Sequence, residues 1–177
     1  DSPCAFLWRR ALELGLSGEA ERVHATAIAV AGRGALIRGP SGSGKSDLAL
    51  RCLGLGRSAL LCDSVNLVAD DQVMLWRDAR HKPPRLLASA PATLRGKLEV
   101  RGVGILEVAV VDNAEIVLVA ELGSEGPIER FPEPWPKTRI LGFDLPLMRL
   151  QPFESSAPHK LVAALAMAAL PRAEHKA

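Results

Sequence analysis

The stretch that decides the fold is Ala35-Leu36-Ile37-Arg38-Gly39-Pro40-Ser41-Gly42-Ser43-Gly44-Lys45-Ser46-Asp47-Leu48-Ala49-Leu50. Its centre, Gly39–Ser46, reads G-x-x-x-x-G-K-[ST], the P-loop pattern. An apolar run enters the loop. An amphipathic segment, Ser46–Leu55, leaves it with Leu48, Ala49, Cys52 and Leu53 on one face. Strand, glycine-rich loop and helix in that order form an anion cradle: the glycines let successive N–H groups turn inward, and the helix adds its unsatisfied N-terminal donors. A Gly/Ser turn that met the pattern by chance would lack this context. The reading assigns nucleotide phosphates to Gly39, Pro40, Ser41, Gly42, Ser43, Gly44, Lys45 and Ser46, with Lys45 reaching the terminal phosphates and the Ser46 hydroxyl on Mg²⁺. The pattern alone does not separate a kinase from an NTPase switch.

Working outward, short β-rich runs surround the loop. Ala27–Val30 and Ala35–Arg38 flank Gly32-Arg33-Gly34 as a hairpin, and Asn66–Ala69, Gln72–Trp76, Arg85–Ala88, Ile105–Val111 and Ile116–Glu121 follow as strand candidates. Pro127–Pro136 is a proline-rich loop carrying Phe131 and Trp135. Arg139–Gln151 reads as one or two strands around Leu145-Pro146, and Ala157–Leu170 as an Ala/Leu helix with Pro158 in its first turn. The expected fold class is α/β: a strand-rich central sheet with one helix after the P-loop and one at the C-terminal end. The middle does not alternate βαβα, so a regular doubly wound sheet fits poorly. Residues 1–22, with a short helix at Ala5–Leu16, read as an N-terminal extension, and residues 23–177 as one domain.

The 177 residues suit a single domain, 48% hydrophobic and 24% charged. Four Phe, three Trp and no Tyr leave no stacking platform for single-stranded nucleic acid. A net charge of +2 gives no field for duplex DNA, so any anion site is local. No apolar run approaches the roughly 20 residues a bilayer needs. Cys4, Cys52 and Cys62 cannot all pair and match no metal-ligand spacing; Cys52 and Cys62 read as small buried hydrophobes of a reducing, cytoplasmic compartment.

Asp70-Asp71 ends the run Asn66–Ala69. A carboxylate at a strand end facing the P-loop suits Mg²⁺, and a second can take a proton from an attacking hydroxyl. Neighbouring strand residues point to opposite faces, so both serve one site only if the chain kinks there. A plain turn is the alternative.

From His24 to Glu107 the chain resembles the catalytic domain of HPr kinase/phosphorylase, a serine kinase acting on the phosphocarrier protein HPr. The resemblance rests on Val23-His24-Ala25-Thr26, on Gly39–Ser46 followed by Asp47-Leu48-Ala49-Leu50, on Leu67-Val68-Ala69-Asp70-Asp71 followed by Gln72-Val73, and on Ala90-Pro91 leading into Leu98–Ile105. It implies a fold similar to the phosphoenolpyruvate carboxykinase-like nucleotide-binding fold, ATP and Mg²⁺ as cofactors, an HPr-like partner, no nucleic acid or membrane, and a hexamer. It implies Asp70 as catalytic base, Lys45 at the phosphates, His24 lining the phosphate site beside Asp70, and a metal held by Ser46, Asp71 and Glu99. Without it, His24 is an ordinary hydrogen-bonded or surface residue, and Glu99 and Arg101 are solvent-facing strand residues. Gly102 and Gly104 favour a functional reading, since a strand has little other use for two glycines.

Three features depart from the family pattern. Only about twenty residues precede the resemblance, which reads as a short form lacking the regulatory N-terminal domain or as a chain trimmed to the kinase domain. Leu60-Leu61 before Asp63-Ser64 is a rival to Leu67–Asp71 as the strand-end pair, though the match running into Gln72-Val73 favours the latter. The family's late Pro-x-x-x-Gly-Arg-Asn pattern is replaced by Pro152–Lys160, which has no arginine to meet a transferring phosphoryl group. This bears on the reverse, phosphorolytic direction. The expected function is an ATP- and Mg²⁺-dependent HPr serine kinase; a non-catalytic ATP-binding sensor of the same fold is the alternative. The Ala157–Leu170 helix is expected to supply oligomer contacts or to pack on its own sheet.

Overall fold

The computed structural model describes residues 20–170, except 60, 62, 124, 125 and 131. The helix expected at Ala5–Leu16, and Cys4, Cys62 and Phe131, therefore lie outside the described residues. Eleven strands are described: β1 (Ala20–His24), β2 (Thr26–Val30), β3 (Arg33–Arg38), β4 (Val65–Ala69), β5 (Gln72–Asp78), β6 (Arg85–Ser89), β7 (Lys97–Val100), β8 (Gly104–Glu107), β9 (Ala114–Leu122), β10 (Lys137–Ile140) and β11 (Phe143–Leu150). Helix α1 (Lys45–Leu53) follows the P-loop and α2 (Ala157–Ala169) comes last.

Nine strands form one mixed sheet in the order β1-β5-β6-β9-β3-β2-β4. It forks at β9, whose first residues pair with β6 and whose last four pair with β11, which in turn carries β10. Strands β7 and β8 form a separate hairpin. Strands β3, β9 and β11 are mutually parallel, and β4, antiparallel to β2, runs the same way. Their C-terminal ends share one edge, which is where open α/β sheets place ligands.

Alternation along the strands sorts two cores. Ile28, Ala35, Ile37, Leu118 and Ala120 face α1 and α2, meeting Leu48, Ala49, Cys52, Leu161 and Leu165. Ala27, Ala29, Leu36 and Val119 face the other way, onto Val73, Leu75, Leu86 and Leu145. A register shift leaves Val117 extra opposite Gly34/Ala35, so Ile116 and Leu118 fall on opposite cores despite their even spacing. Helix α2 packs on its own sheet, as one of the two sequence readings held.

Several boundaries differ from expectation. The first hairpin turns at Ala31-Gly32, both with positive φ (48° and 77°), and Arg33 and Gly34 open β3. Strand β1 begins at Ala20 because Ala20–Arg22 pair with Met74–Trp76, so it straddles the division drawn at residues 22 and 23. The run Ile105–Val111 is strand only to Glu107; beyond it Val110 makes a single bridge to Leu67. Strands β10 and β11 divide at Leu141-Gly142, not at Pro146. Pro146 lies inside β11, where the Leu147 N–H turns to Pro136 O and the ladder to β9 starts only at Leu147. Its missing N–H thus falls where no ladder bond is due. Among the described residues no helix is long and apolar enough to cross a membrane.

Candidate functional site

The P-loop links β3 to α1 as the sequence predicts. Gly42 and Gly44 take φ of 77° and 90°, conformations open to glycine, and the Leu48 N–H donates to Gly44 O to start the helix. Lys45 is 6% exposed and its Nζ donates to Gly39 O and Pro40 O, each at 2.9 Å. Burial pulls its pKa below the ordinary lysine value, while Asp71 and Asp70 pull it back up. A phosphate entering the loop would compete with those two carbonyls for the ammonium.

Strand β4 delivers the aspartates. A register shift against β2 leaves Val68 extra, so Val68 and Ala69 both face the inner core. Asp70 then turns toward the P-loop. It is 4% exposed; Oδ1 accepts from the hydroxyls of Thr26 and Ser46, each at 2.8 Å, and Oδ2 accepts from the Glu99 N–H at 3.1 Å. This contact also decides between the two strand candidates, since Leu67–Ala69 is the strand and Asp70 reaches the loop. The expected kink is present: Asp71 has φ 65°, and the Gln72 N–H bonds Asp70 O.

The His24 ring lies on Asp71 and not on Asp70. Its Nδ1 is 3.0 Å from Asp71 O and 3.2 Å from Asp71 Oδ1, and both side chains are about half exposed. His24 thus lines the cavity with its ring on Asp71, while Asp70 is enclosed by Thr26, Ser46 and the β7 backbone.

A cavity of about 410 Å³ opens over the P-loop, with Asp70 buried behind its lining. Ser41, Gly42, Gly44, Lys45 and Ser46 form its floor. His24, Asp71, Glu99 and Arg101 stand along one wall, and Phe153 on another. Gly39, Pro40 and Ser43 complete the loop; a Cβ on Gly39 would stand 2.6 Å from Ser43 Oγ. Among the described residues no three His, Cys, Asp or Glu side chains cluster closely enough to hold a metal unaided. Ser46, Asp71 and Glu99 do share the cavity, and Mg²⁺ characteristically takes one or two carboxylates and completes its shell with phosphate and water. The donor set fits that ion.

Three contributors were not assigned by sequence. Thr26 holds Asp70, and the signal available was only its place two residues after His24. Phe153 overhangs the P-loop, with Cζ 3.0 Å from where a Gly44 Cβ would stand. Arg51 bonds Asp47, Pro152 O and Glu154 O, tying the loop after β11 to α1. A second cavity, of about 430 Å³, lies at the opposite sheet edge around Trp76, Asp78, Arg85 and Glu115. It contains none of the candidate residues, and Arg33 and Arg85 there are engaged by Glu115.

Comparison with known proteins identifies the family and the fold. Residues 16–176 match the family model described as HPr Serine kinase C-terminal domain. The chain is similar to the HPr kinase/phosphorylase of Chlorobaculum tepidum, 34% identical over 143 residues, covering 75% of this chain and 39% of that protein. It is also similar to that of Streptococcus sanguinis, 30% identical over 167 residues, covering 82% and 50%. The chain thus spans between about two fifths and one half of the length of these two curated relatives. A solved structure, described as the Hpr(Ser) kinase/phosphatase from Coxiella burnetii, superposes with a TM-score of 0.65 at 25% identity, covering 83% of this chain and 88% of that one. The strand-rich mixed sheet with two helices is the architecture of that domain. The chain belongs to the HPr serine kinase C-terminal domain family.

Proposed function

We propose that this chain is an ATP- and Mg²⁺-dependent protein serine kinase acting on an HPr-like phosphocarrier. The observation that carries the proposal is Asp70, bonded to the P-loop Ser46 and to the Glu99 N–H directly behind the cavity that Asp71 and Glu99 line. A phosphate cradle with several carboxylates at one end suits phosphoryl transfer to a hydroxyl better than nucleotide storage. Lys45 and the loop amides bind the phosphates. Ser46, Asp71 and Glu99 hold the metal, which when bound neutralises charge on the phosphate oxygens. Asp70 takes the proton of the serine hydroxyl as the oxygen–phosphorus bond forms and ADP leaves. The fold's kinship to phosphoenolpyruvate carboxykinase, a hexameric assembly and a cytoplasmic setting belong to the same proposal.

One observation favours a second division of labour. Both Asp70 oxygens are occupied, whereas Asp71 and His24 open onto the cavity. In that division Asp71 takes the proton and Asp70 stays beside Ser46 at the metal.

The relatives' name, kinase/phosphorylase, extends the proposal to the reverse reaction. Inorganic phosphate attacks the seryl phosphate, the P–O(Ser) bond breaks, pyrophosphate leaves, and the serine oxygen regains its proton. The loop at 152–160 has no arginine to assist this. That absence also motivates the non-catalytic sensor, which binds ATP and partner without transfer. Labelled ATP incubated with purified HPr separates the two: label on the HPr serine supports the kinase, and intact ATP binding without label supports the sensor. Pyrophosphate released from phospho-HPr on adding phosphate identifies the reverse activity.

A further inference from the structure

The P-loop strand β3 has a different neighbour on each side. Through β2 it reaches β4, whose end carries Asp70 and Asp71; through β9 it reaches β11, whose end carries Gln151–Ser156. All four strand ends lie on one sheet edge, so the phosphate cradle has a transfer wall and an opposite wall. A nucleoside triphosphate whose terminal phosphate faces the aspartates directs its nucleoside away from them, toward the loop after β11.

That loop presents one large aromatic. Phe153 is 73% exposed, rests against Gly44 and lines the same cavity as Lys45 and Ser46. It is held in place: Arg51 donates to the carbonyls on both sides of it, Pro152 O and Glu154 O, and Lys160 pairs with the Glu154 side chain. A flexible surface phenylalanine would not need such anchoring. An aromatic face fixed at the nucleoside end of a phosphate site stacks a base well, because every nucleobase offers a π-face.

We infer that Phe153 is the stacking platform for the nucleobase of the bound nucleoside triphosphate, with Arg51 positioning its loop. The inference rests on the P-loop reading but not on the identity of the phosphoryl acceptor.

The test compares two probes on the full chain, ATP and inorganic tripolyphosphate, by calorimetry with Mg²⁺. Wild type should bind ATP more tightly than tripolyphosphate. Phe153→Ala should raise the ATP dissociation constant about tenfold and leave that of tripolyphosphate unchanged. Phe153→Trp should keep the wild-type ATP value. An unchanged ATP constant in Phe153→Ala overturns the inference. So does an equal loss for both probes, which would make the ring a prop for Gly44. A wild-type chain that binds neither probe overturns the phosphate-site reading itself, a separate result.

Discussion

The hydroxyl of Ser46 donates to the carboxylate of Asp70 across 2.8 Å, joining the first turn of α1 to the end of β4. Through this bond the phosphate cradle and the acidic wall are set as one rigid unit. Thr26, fully buried at the start of β2, fixes the same oxygen from the other side.

Thr26→Val removes that second donor while keeping the side chain's shape. It should cost about 1 kcal/mol of stability. Asp70 should lose its fixed angle, so kcat for phosphoryl transfer should fall several-fold with the KM for ATP unchanged. Steady-state kinetics check this; a change in KM alone would mean that Thr26 acts only through binding.

Lys45→Ala tests the cradle. Removing one preorganised cation from developing phosphoryl charge characteristically costs about 10²–10³ in rate. Transfer should fall by that order and ATP affinity should weaken, with circular dichroism unchanged because among the described residues the lysine bonds its own loop carbonyls.

Much of this was legible in the sequence, and the exceptions have physical causes. Gly39–Ser46 specifies strand, loop and helix locally, through glycine φ values and helical periodicity, so the sequence reading placed them correctly. The same holds for α2, whose apolar face at Leu161 and Leu165 is buried. Strand β1 has no sequence signal, because its residues are mostly exposed and carry no apolar alternation; pairing with β5 alone makes them a strand. Arg139–Gln151 reads as one or two strands around Leu145-Pro146; there are two, and Leu141 and Gly142, with positive φ, make the turn between them. The contact of His24 with Asp71 follows from the β4 bulge and the turn at Asp71, which are tertiary features with no local signal. Phe153 was invisible as a site residue: nothing local says that the end of β11 meets the P-loop.

Leu161→Ala tests the packing of α2. Leu161 is fully buried in the core shared by α1, α2 and the sheet. The substitution should cost about 2–5 kcal/mol in urea unfolding. A loss under 1 kcal/mol would mean that α2 is not docked as described.

Asp78 sets a pH dependence. The Arg80 side chain bonds both of its oxygens and holds its pKa at about 2, below the carboxylate value of 3.8. The unfolded chain therefore takes up this proton more readily than the folded one. The stability Asp78 contributes is complete above about pH 4 and is lost as pH falls toward about 2. Asp78→Asn should lower stability at neutral pH and flatten that part of the acid profile, as read by thermal unfolding between pH 2 and 6.

Phosphoryl transfer to a protein serine is measured most directly as label from γ-³²P-ATP on purified HPr with Mg²⁺. Wild type, Asp70→Asn and Asp71→Asn are compared beside the ATP dissociation constant of each. Label on the HPr serine is expected with wild type, and its loss is expected in Asp70→Asn with ATP binding retained. Loss confined to Asp71→Asn would move the base to the aspartate beside His24. No label from a wild-type chain that binds ATP would overturn the kinase assignment and leave a nucleotide sensor in its place.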